Sequence, residues 1–291
     1  MCTATWRTAA DGYSICFNRD EVRTRATELA ARRVRRGGIE CIAPFDAGGG
    51  TWIGVNELGF AACLLNAYPE PRDPARVDSR PALRAPRALS RGFLVLGLLD
   101  CATVEAARRR LQEGDLRWFQ PFRLLAFAPG EIPLGLAWDG ERLVEEALSY
   151  DAGMVCSSGW DDVRARRARR AAWDLRFDGR ALRVPEEGEL VEFHRSHAPS
   201  LPAGPLVEPV DLAAGAESVC MHRPDASTVS FVRIRVAAEQ VALSHLPGSP
   251  CRHAVCASVD EIVLPRRATF SGAVVSLARD SSERSERSPE P

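Results

Sequence analysis

The second residue of the chain is a cysteine. Methionine aminopeptidases remove an initiator Met when the next side chain is small, and cysteine qualifies. The product would carry a thiol and a free α-amine on one residue. An α-amine titrates near ~7.7–8, close to neutral pH, so it can act as general base for its own thiol. A neighbouring cation would make that thiol more thiolate-like. Cys2–Arg7 and Tyr13–Asn18 alternate as strands on either side of Asp11-Gly12, a hairpin signal. With Asp11-Gly12 as the central turn residues, Cys2 lies opposite Glu21; with Ala10-Asp11 central, it lies opposite Arg19. Either register brings Asn18-Arg19-Asp20-Glu21 beside Cys2. A carboxylate there can orient the α-ammonium, and Arg19 can lower the thiol pKa. Strand alternation allows only some of the four to face Cys2.

Composition narrows the chemistry further. The 291 residues contain no lysine; all 38 basic residues are arginine. A Schiff-base lysine, a phosphate-loop GK[ST] and a Ser–Lys dyad are therefore excluded. Arginine stays protonated and makes a poor general base. Proton transfer falls to His, Asp, Glu, Cys, Tyr or the N-terminal amine. The formal charge of −1 gives no sign of a nucleic-acid partner. The N-terminus lacks the basic and apolar regions of a signal peptide, and no apolar run approaches ~18 residues, so no integral membrane segment is expected. Nine cysteines, an odd number without a framework, read as reduced thiols of a cytoplasmic protein.

The elements that must position these residues follow from patterning. Strand hairpins come first, with Gly49-Gly50-Thr51-Trp52-Ile53-Gly54-Val55-Asn56 and Phe60–Leu65 forming a second pair. Residues 22–37, dense in arginine, read as a loop or short solvated helix. Residues 68–88 read as a surface loop. Helices are expected over 89–99 and 103–113, then strands over 122–127, 133–138 and 143–148. Helices follow over 160–175 and 186–196, and strands over 219–222, 229–236 and 240–245. This order does not alternate β and α. It predicts an α+β fold of two antiparallel sheets with helices outside, rather than a doubly wound parallel sheet. Residues 1–280 read as one domain and 281–291, made only of Ser, Glu, Arg and Pro, as a disordered tail.

Other candidates weigh less. Cys251, His253 and Cys256 lie close in sequence, with Cys220 and His222 elsewhere. The Cys-x4-Cys spacing without a second pair argues against a structural metal, so none is expected. His222 reads as a packed strand histidine in preference to a haem ligand or acid/base. His194 and His197 fall on one side of a helix without HExxH spacing. Gly48-Gly49-Gly50 precedes no helix and is not a phosphate loop; these glycines allow close backbone approach at a site rim. Trp6 and Trp52 read as core or pocket wall.

Met1-Cys2-Thr3, Trp6, Asn18-Arg19-Asp20-Glu21, the Gly49–Asn56 block and Leu64-Leu65-Asn66 together resemble the NRDE family, also called the transport and Golgi organization protein 2 family. Ser157-Ser158-Gly159, Cys220-Met221-His222-Arg223, Thr228-Val229-Ser230 and Pro247–Cys251 are similar to its bacterial members. The resemblance implies a four-layer αββα sandwich of the N-terminal-nucleophile hydrolase type, related to choloylglycine hydrolases and penicillin V acylases. It also implies roles for particular residues. Cys2 matches the nucleophile and Asp20 the carboxylate that holds the amine. Asn66 lies at the oxyanion-hole neighbourhood, Ser157 or Ser158 near the second oxyanion residue, and Arg169 at a late active-site arginine. Arg19 completes the catalytic candidates, and Asn18, Trp52, Ser157 and Ser158 are the candidates for substrate binding.

The chain departs from those enzymes twice. Phe17 stands where they carry an early arginine, and a serine stands where they carry the second oxyanion asparagine. Losing one oxyanion donor costs about 10²–10³ in rate. Two readings follow. One is an N-terminal cysteine amidohydrolase-like protein acting on a small amide or acyl substrate without a cofactor. The alternative is a non-catalytic haem or acyl-lipid binding or trafficking protein using the same cleft.

Overall fold

The computed structural model describes residues 2–68, 89–159, 161–177, 183–199, 215–253 and 261–267. Two antiparallel sheets stack on each other. The first has strand order β10-β1-β2-β11-β12-β13: β1 Cys2–Ala9, β2 Gly12–Val22, β10 Ala152–Ser157, β11 Ala226–Val236, β12 Gln240–Pro247 and β13 Glu261–Pro265. The second runs β3 through β9 in chain order: Leu29–Arg36, Ile39–Phe45, Ile53–Asn56, Ala61–Asn66, Phe122–Phe127, Leu134–Trp138 and Leu143–Glu146.

Period-two alternation assigns each side chain to a layer. Ala4, Trp6, Ile15 and Phe17 of the first sheet meet Ile53, Cys63, Leu65 and Leu125 of the second in a shared core. The opposite face of the second sheet, with Leu64, Leu124 and Leu136, is covered by α1 (Gly92–Leu98) and α2 (Val104–Glu113). The outer face of the first, with Cys16, Met154 and Phe231, is covered by α3 (Asp162–Phe177) and α4 (Glu187–Arg195). The result is helix, sheet, sheet, helix, as the order of elements predicts.

Local chemistry explains the helix ends. Thr103 accepts from the Ala106 backbone N–H and starts α2, whose first turn carries Glu105. Glu186 and Glu189 form a capping box at α4. At the glycine run, Asp46 Oδ1 accepts from the backbone N–H groups of Gly48 and Gly50, making a tight turn. A Cβ on Gly92 would press against Gly50 and Thr51, so these small residues let α1 approach the rim of the sandwich.

The structure corrects three expectations. Residues 29–36 form strand β3 rather than a loop or helix. Its arginines occupy the edge of the second sheet, where charge blocks further pairing, and Arg32 lies over the Phe45 ring. Residues 219–222 make only an isolated bridge, His222 to Ser227. Ala152–Ser157 and Glu261–Pro265 are strands with no sequence signal strong enough to mark them. The 281–291 tail, Cys256 and nearly all of the 68–88 loop lie outside the described residues. All eight described cysteines are free thiols.

Candidate active site

Cys2 sits at the start of β1 between two strands. Its Cα pairs with Arg19 of β2 on one side and Ser157 of β10 on the other. The Ala10-Asp11 register is therefore the one adopted. Arg19 and Ser157 share the inter-sheet face with Cys2, while Asn18 and Asp20 point to the helix layer. Cys2 is buried, 7% exposed, and lines a cleft of about 300 Å³ together with Arg19, Asp20, Trp52, Leu64 and Asn66. Burial pushes its thiol above the ordinary cysteine range. The charge of the chain N-terminus, the Asp20 backbone N–H and the Arg19 guanidinium offset part of that rise.

Asp20 is held from two sides. Its Oδ1 accepts from Thr228 Oγ1 at 2.7 Å and its Oδ2 from Arg169 Nη2 at 3.1 Å. Arg169, fully buried on α3, also donates to Thr3 Oγ1 at 2.6 Å and to the Ala216 carbonyl at 3.0 Å. It grips the carboxylate and the strand behind Cys2 from the helix side and does not line the cleft. Thr228 reaches Asp20 because β11 carries a bulge there: Thr228 pairs with Asp20 and Ser230 with Arg19. Residues two apart on a regular strand share a face. The extra residue sends Thr228 to the helix side and Ser230 to the inter-sheet side.

Arg19 is held more tightly than its sequence context suggests. Its Nη1 donates to Glu28 Oε2 at 2.6 Å, and its guanidinium stacks 4.3 Å from the Trp52 ring centroid. Glu28 also accepts from His245 Nε2 at 2.9 Å, while His245 Nδ1 accepts from the Ala31 N–H. Burial raises the Glu28 pKa, but the hydrogen bond from His245 and the charge of Arg19 outweigh it and hold the carboxyl below its ordinary value. Glu28 and His245 carried no local signal, because they are 217 positions apart.

The other sequence candidates separate. Asn66, at the end of β6, lines the cleft and donates to the Tyr68 hydroxyl at 3.3 Å. Ser157 Oγ is buried with no hydrogen-bond partner among the described residues, on the face it shares with Cys2. Ser158 lies one residue on, its backbone N–H bound to Asp162 Oδ1 at 2.7 Å. Asn18 does not line the cleft: alternation turns it to the helix side, where its amide donates to the carbonyls of His194 and Val219 at 2.8 and 3.0 Å. It ties β2 to the helix layer. His194 bonds Thr5 Oγ1 on the same side, whereas His197 lies beyond the end of α4.

A thiol buried beside a cleft, a pinned carboxylate at the strand end, the Asn66 amide at the cleft and the Ser157 hydroxyl on the face of Cys2 can support attack on a carbonyl and stabilise the resulting oxyanion. No helix among the described residues is long and apolar enough to cross a membrane.

Comparison by sequence with curated proteins finds no match. Among solved structures, the fold is similar to the Caenorhabditis elegans ortholog of N-acylethanolamine-hydrolyzing acid amidase, with a TM-score of 0.51 and 12% identity over 80% of this chain and 92% of that one. Penicillin V acylase from Agrobacterium tumefaciens aligns with a TM-score of 0.44 and 15% identity, over 84% and 82% of the two chains. A mutant conjugated bile acid hydrolase from Clostridium perfringens aligns at 0.43 and 10%, over 92% and 97%. The sequence model of the family described as Transport and Golgi organisation 2 matches residues 1–136. The first 136 residues thus match the Transport and Golgi organisation 2 family model, as their motifs indicate, and the chain shares the two-sheet sandwich fold of the Caenorhabditis elegans amidase ortholog.

Proposed function

We propose that this chain is an N-terminal cysteine hydrolase that cleaves a small amide or acyl substrate. The observation that carries the reading is the placement of Cys2: buried on a central strand, lining a cleft, beside a carboxylate fixed by Arg169 and Thr228.

The chemistry follows from that placement. With Met1 removed, the α-amine of Cys2 takes the thiol proton, directly or through a water, and Sγ attacks the carbonyl carbon. Asp20 orients the resulting α-ammonium. Asn66 Nδ2 and Ser157 Oγ donate to the oxyanion, Ser157 standing in for an amide donor. Collapse of the tetrahedral adduct expels the leaving amine, which takes the proton from the α-ammonium. Water, activated by the same amine, then hydrolyses the thioester. A thiol raised by burial stays protonated until the amine acts on it, which suits this order of events. Trp52 gives the cleft an apolar wall, which suits an acyl group of modest size.

The test combines intact-mass analysis with turnover on a panel of N-acyl amides. The expected result is a chain lacking Met1 that loses turnover in Cys2→Ala and forms an acyl adduct on Cys2. Turnover by a chain that retains Met1, or by Cys2→Ala, would rule the mechanism out. A folded, Met1-free chain that binds haem or acyl chains without cleaving any amide would favour the non-catalytic reading.

A further inference from the structure

Outside the cleft, four ligand-bearing residues converge. One donor atom from each of His197, Cys220, His222 and Cys251 lies within 4.8 Å of every other. His222 Nε2 is 3.1 Å from Cys251 Sγ and 3.7 Å from Cys220 Sγ, and the His197 and His222 rings meet edge to face at 5.2 Å. His197, Cys220 and His222 are buried, and Cys251 is partly exposed, which leaves a way in. His197 Nε2 is buried with no hydrogen-bond partner among the described residues.

We infer that these four residues bind one zinc ion as a closed two-cysteine, two-histidine site. With Zn–S near ~2.3 Å and Zn–N near ~2.0 Å, the ligand atoms of a tetrahedral site lie roughly 3.3–3.8 Å apart. The observed spacings need only small side-chain adjustments. Neutral imidazoles and thiolates are the donor set that a borderline-soft d¹⁰ ion prefers, and hard cations such as Mg²⁺ and Ca²⁺ are disfavoured by the lack of oxygen ligands. Binding zinc as thiolates would release the thiol protons to solvent.

With four protein ligands there is no open coordination position, so the ion would serve architecture and not chemistry. The architecture it fixes is the cradle of Asp20. The Cys220 N–H bonds the Ser196 carbonyl at the end of α4, and the Met221 N–H bonds Thr228 Oγ1 at 2.8 Å. That same hydroxyl donates to Asp20. Cys251, from the turn after β12, would close the clasp over the β11 bulge, where the Gly248 N–H already caps the Val229 carbonyl. Three segments distant in sequence would be fastened at one point behind the candidate carboxylate.

The full chain, purified with a thiol reductant and stripped with chelator, is to be titrated with Zn²⁺ and separately with Co²⁺. The expected result is one metal per chain by elemental analysis and a rise in melting temperature on adding zinc. Co²⁺ should give thiolate-to-metal charge-transfer bands and the visible absorption of tetrahedral Co²⁺. Outer-shell changes alone weaken metal sites about 10–100-fold, so Cys251→Ser, which removes a ligand, should exceed that loss. Cys251 is the least buried ligand and its serine variant should keep the native circular-dichroism spectrum; Cys101→Ser should bind zinc like the parent. Absence of stoichiometric binding by the reduced chain, a six-coordinate Co²⁺ spectrum, or unchanged affinity in folded Cys251→Ser would each overturn the proposal. So would a Cys220–Cys251 disulfide that persists in reductant. None of these outcomes depends on amide turnover.

Discussion

Arg169 and Asp20 form an ion pair 3.1 Å apart in which both side chains are entirely shielded from solvent. Such a pair contributes little net stability compared with an apolar pair, because both charges lose their hydration. Breaking it is another matter, since the remaining charge is left buried and alone. Arg169→Met should therefore destabilise the fold by about 3–5 kcal/mol in urea denaturation. Arg169→Lys should recover only part, because an ammonium cannot span Thr3, Asp20 and the Ala216 carbonyl as the guanidinium does. A fully stable Arg169→Met chain would mean that the pair is not buried in solution.

His194 predicts how stability depends on acid. Burial, with the charge of Arg169 as a second cause, depresses its pKa from 6.5 to about 3. In the folded chain the imidazole is neutral across that interval, while in the unfolded chain it takes up a proton. The unfolded state binds more protons, so stability falls as pH drops from about 6.5 toward about 3, and this contribution levels off below that. One group contributes a slope of at most about 1.4 kcal/mol per pH unit. In His194→Gln, urea midpoints measured from pH 7 to 4 should show a shallower decline. An identical slope in parent and variant would contradict the assignment.

The layering and the placement of Cys2 on a paired strand were legible because hairpin counting and alternation are local. Two turns were compatible with Asp11-Gly12, and the register adopted sets Arg19 opposite Cys2. The partners of Asp20 were another matter. Arg169 and Thr228 lie 149 and 208 positions away, and no periodicity links them; only the family resemblance pointed to Arg169. Glu28 fell in an arginine-rich stretch read as loop, and its role follows from β12 crossing to deliver His245. Asn18 turns to the helix layer because its neighbour Arg19 faces the cleft, and one step along a strand reverses the face. Spacing argued against a metal at Cys251 because Cys220 and His222 stand in a separate segment rather than in a paired CxxC turn, and the fold brings them together with His197.

Ser157 and Asn66 should share the oxyanion. In the hydrolase reading, Ser157→Ala and Asn66→Ala each lower kcat by about 10²–10³ with little change in KM, since the interaction is made mainly in the transition state. Tyr68→Phe is the control: it removes the hydroxyl that accepts from Asn66 while leaving the amide in place, and should cost less. Steady-state kinetics on one cleaved amide decides this. Equal losses in Tyr68→Phe and Asn66→Ala would make the amide a support for Tyr68 instead of an oxyanion donor.

Glu28 links the cleft wall to pH. The hydrogen bond from His245 and the nearby Arg19 hold its folded pKa below the unfolded value, despite burial. A carboxyl shifted downward adds stability that is fully present above its unfolded pKa, near ~4.3, and disappears as pH falls through the folded value. Glu28→Gln should thus melt lower than the parent at neutral pH, and the gap should close in acid. The variant also leaves Arg19 without its closest anion, so the guanidinium should loosen over Trp52 and raise the indole's fluorescence sensitivity to added quencher. A gap in melting temperature that stays constant from neutral to acid pH would show that Glu28 contributes by packing and not by charge.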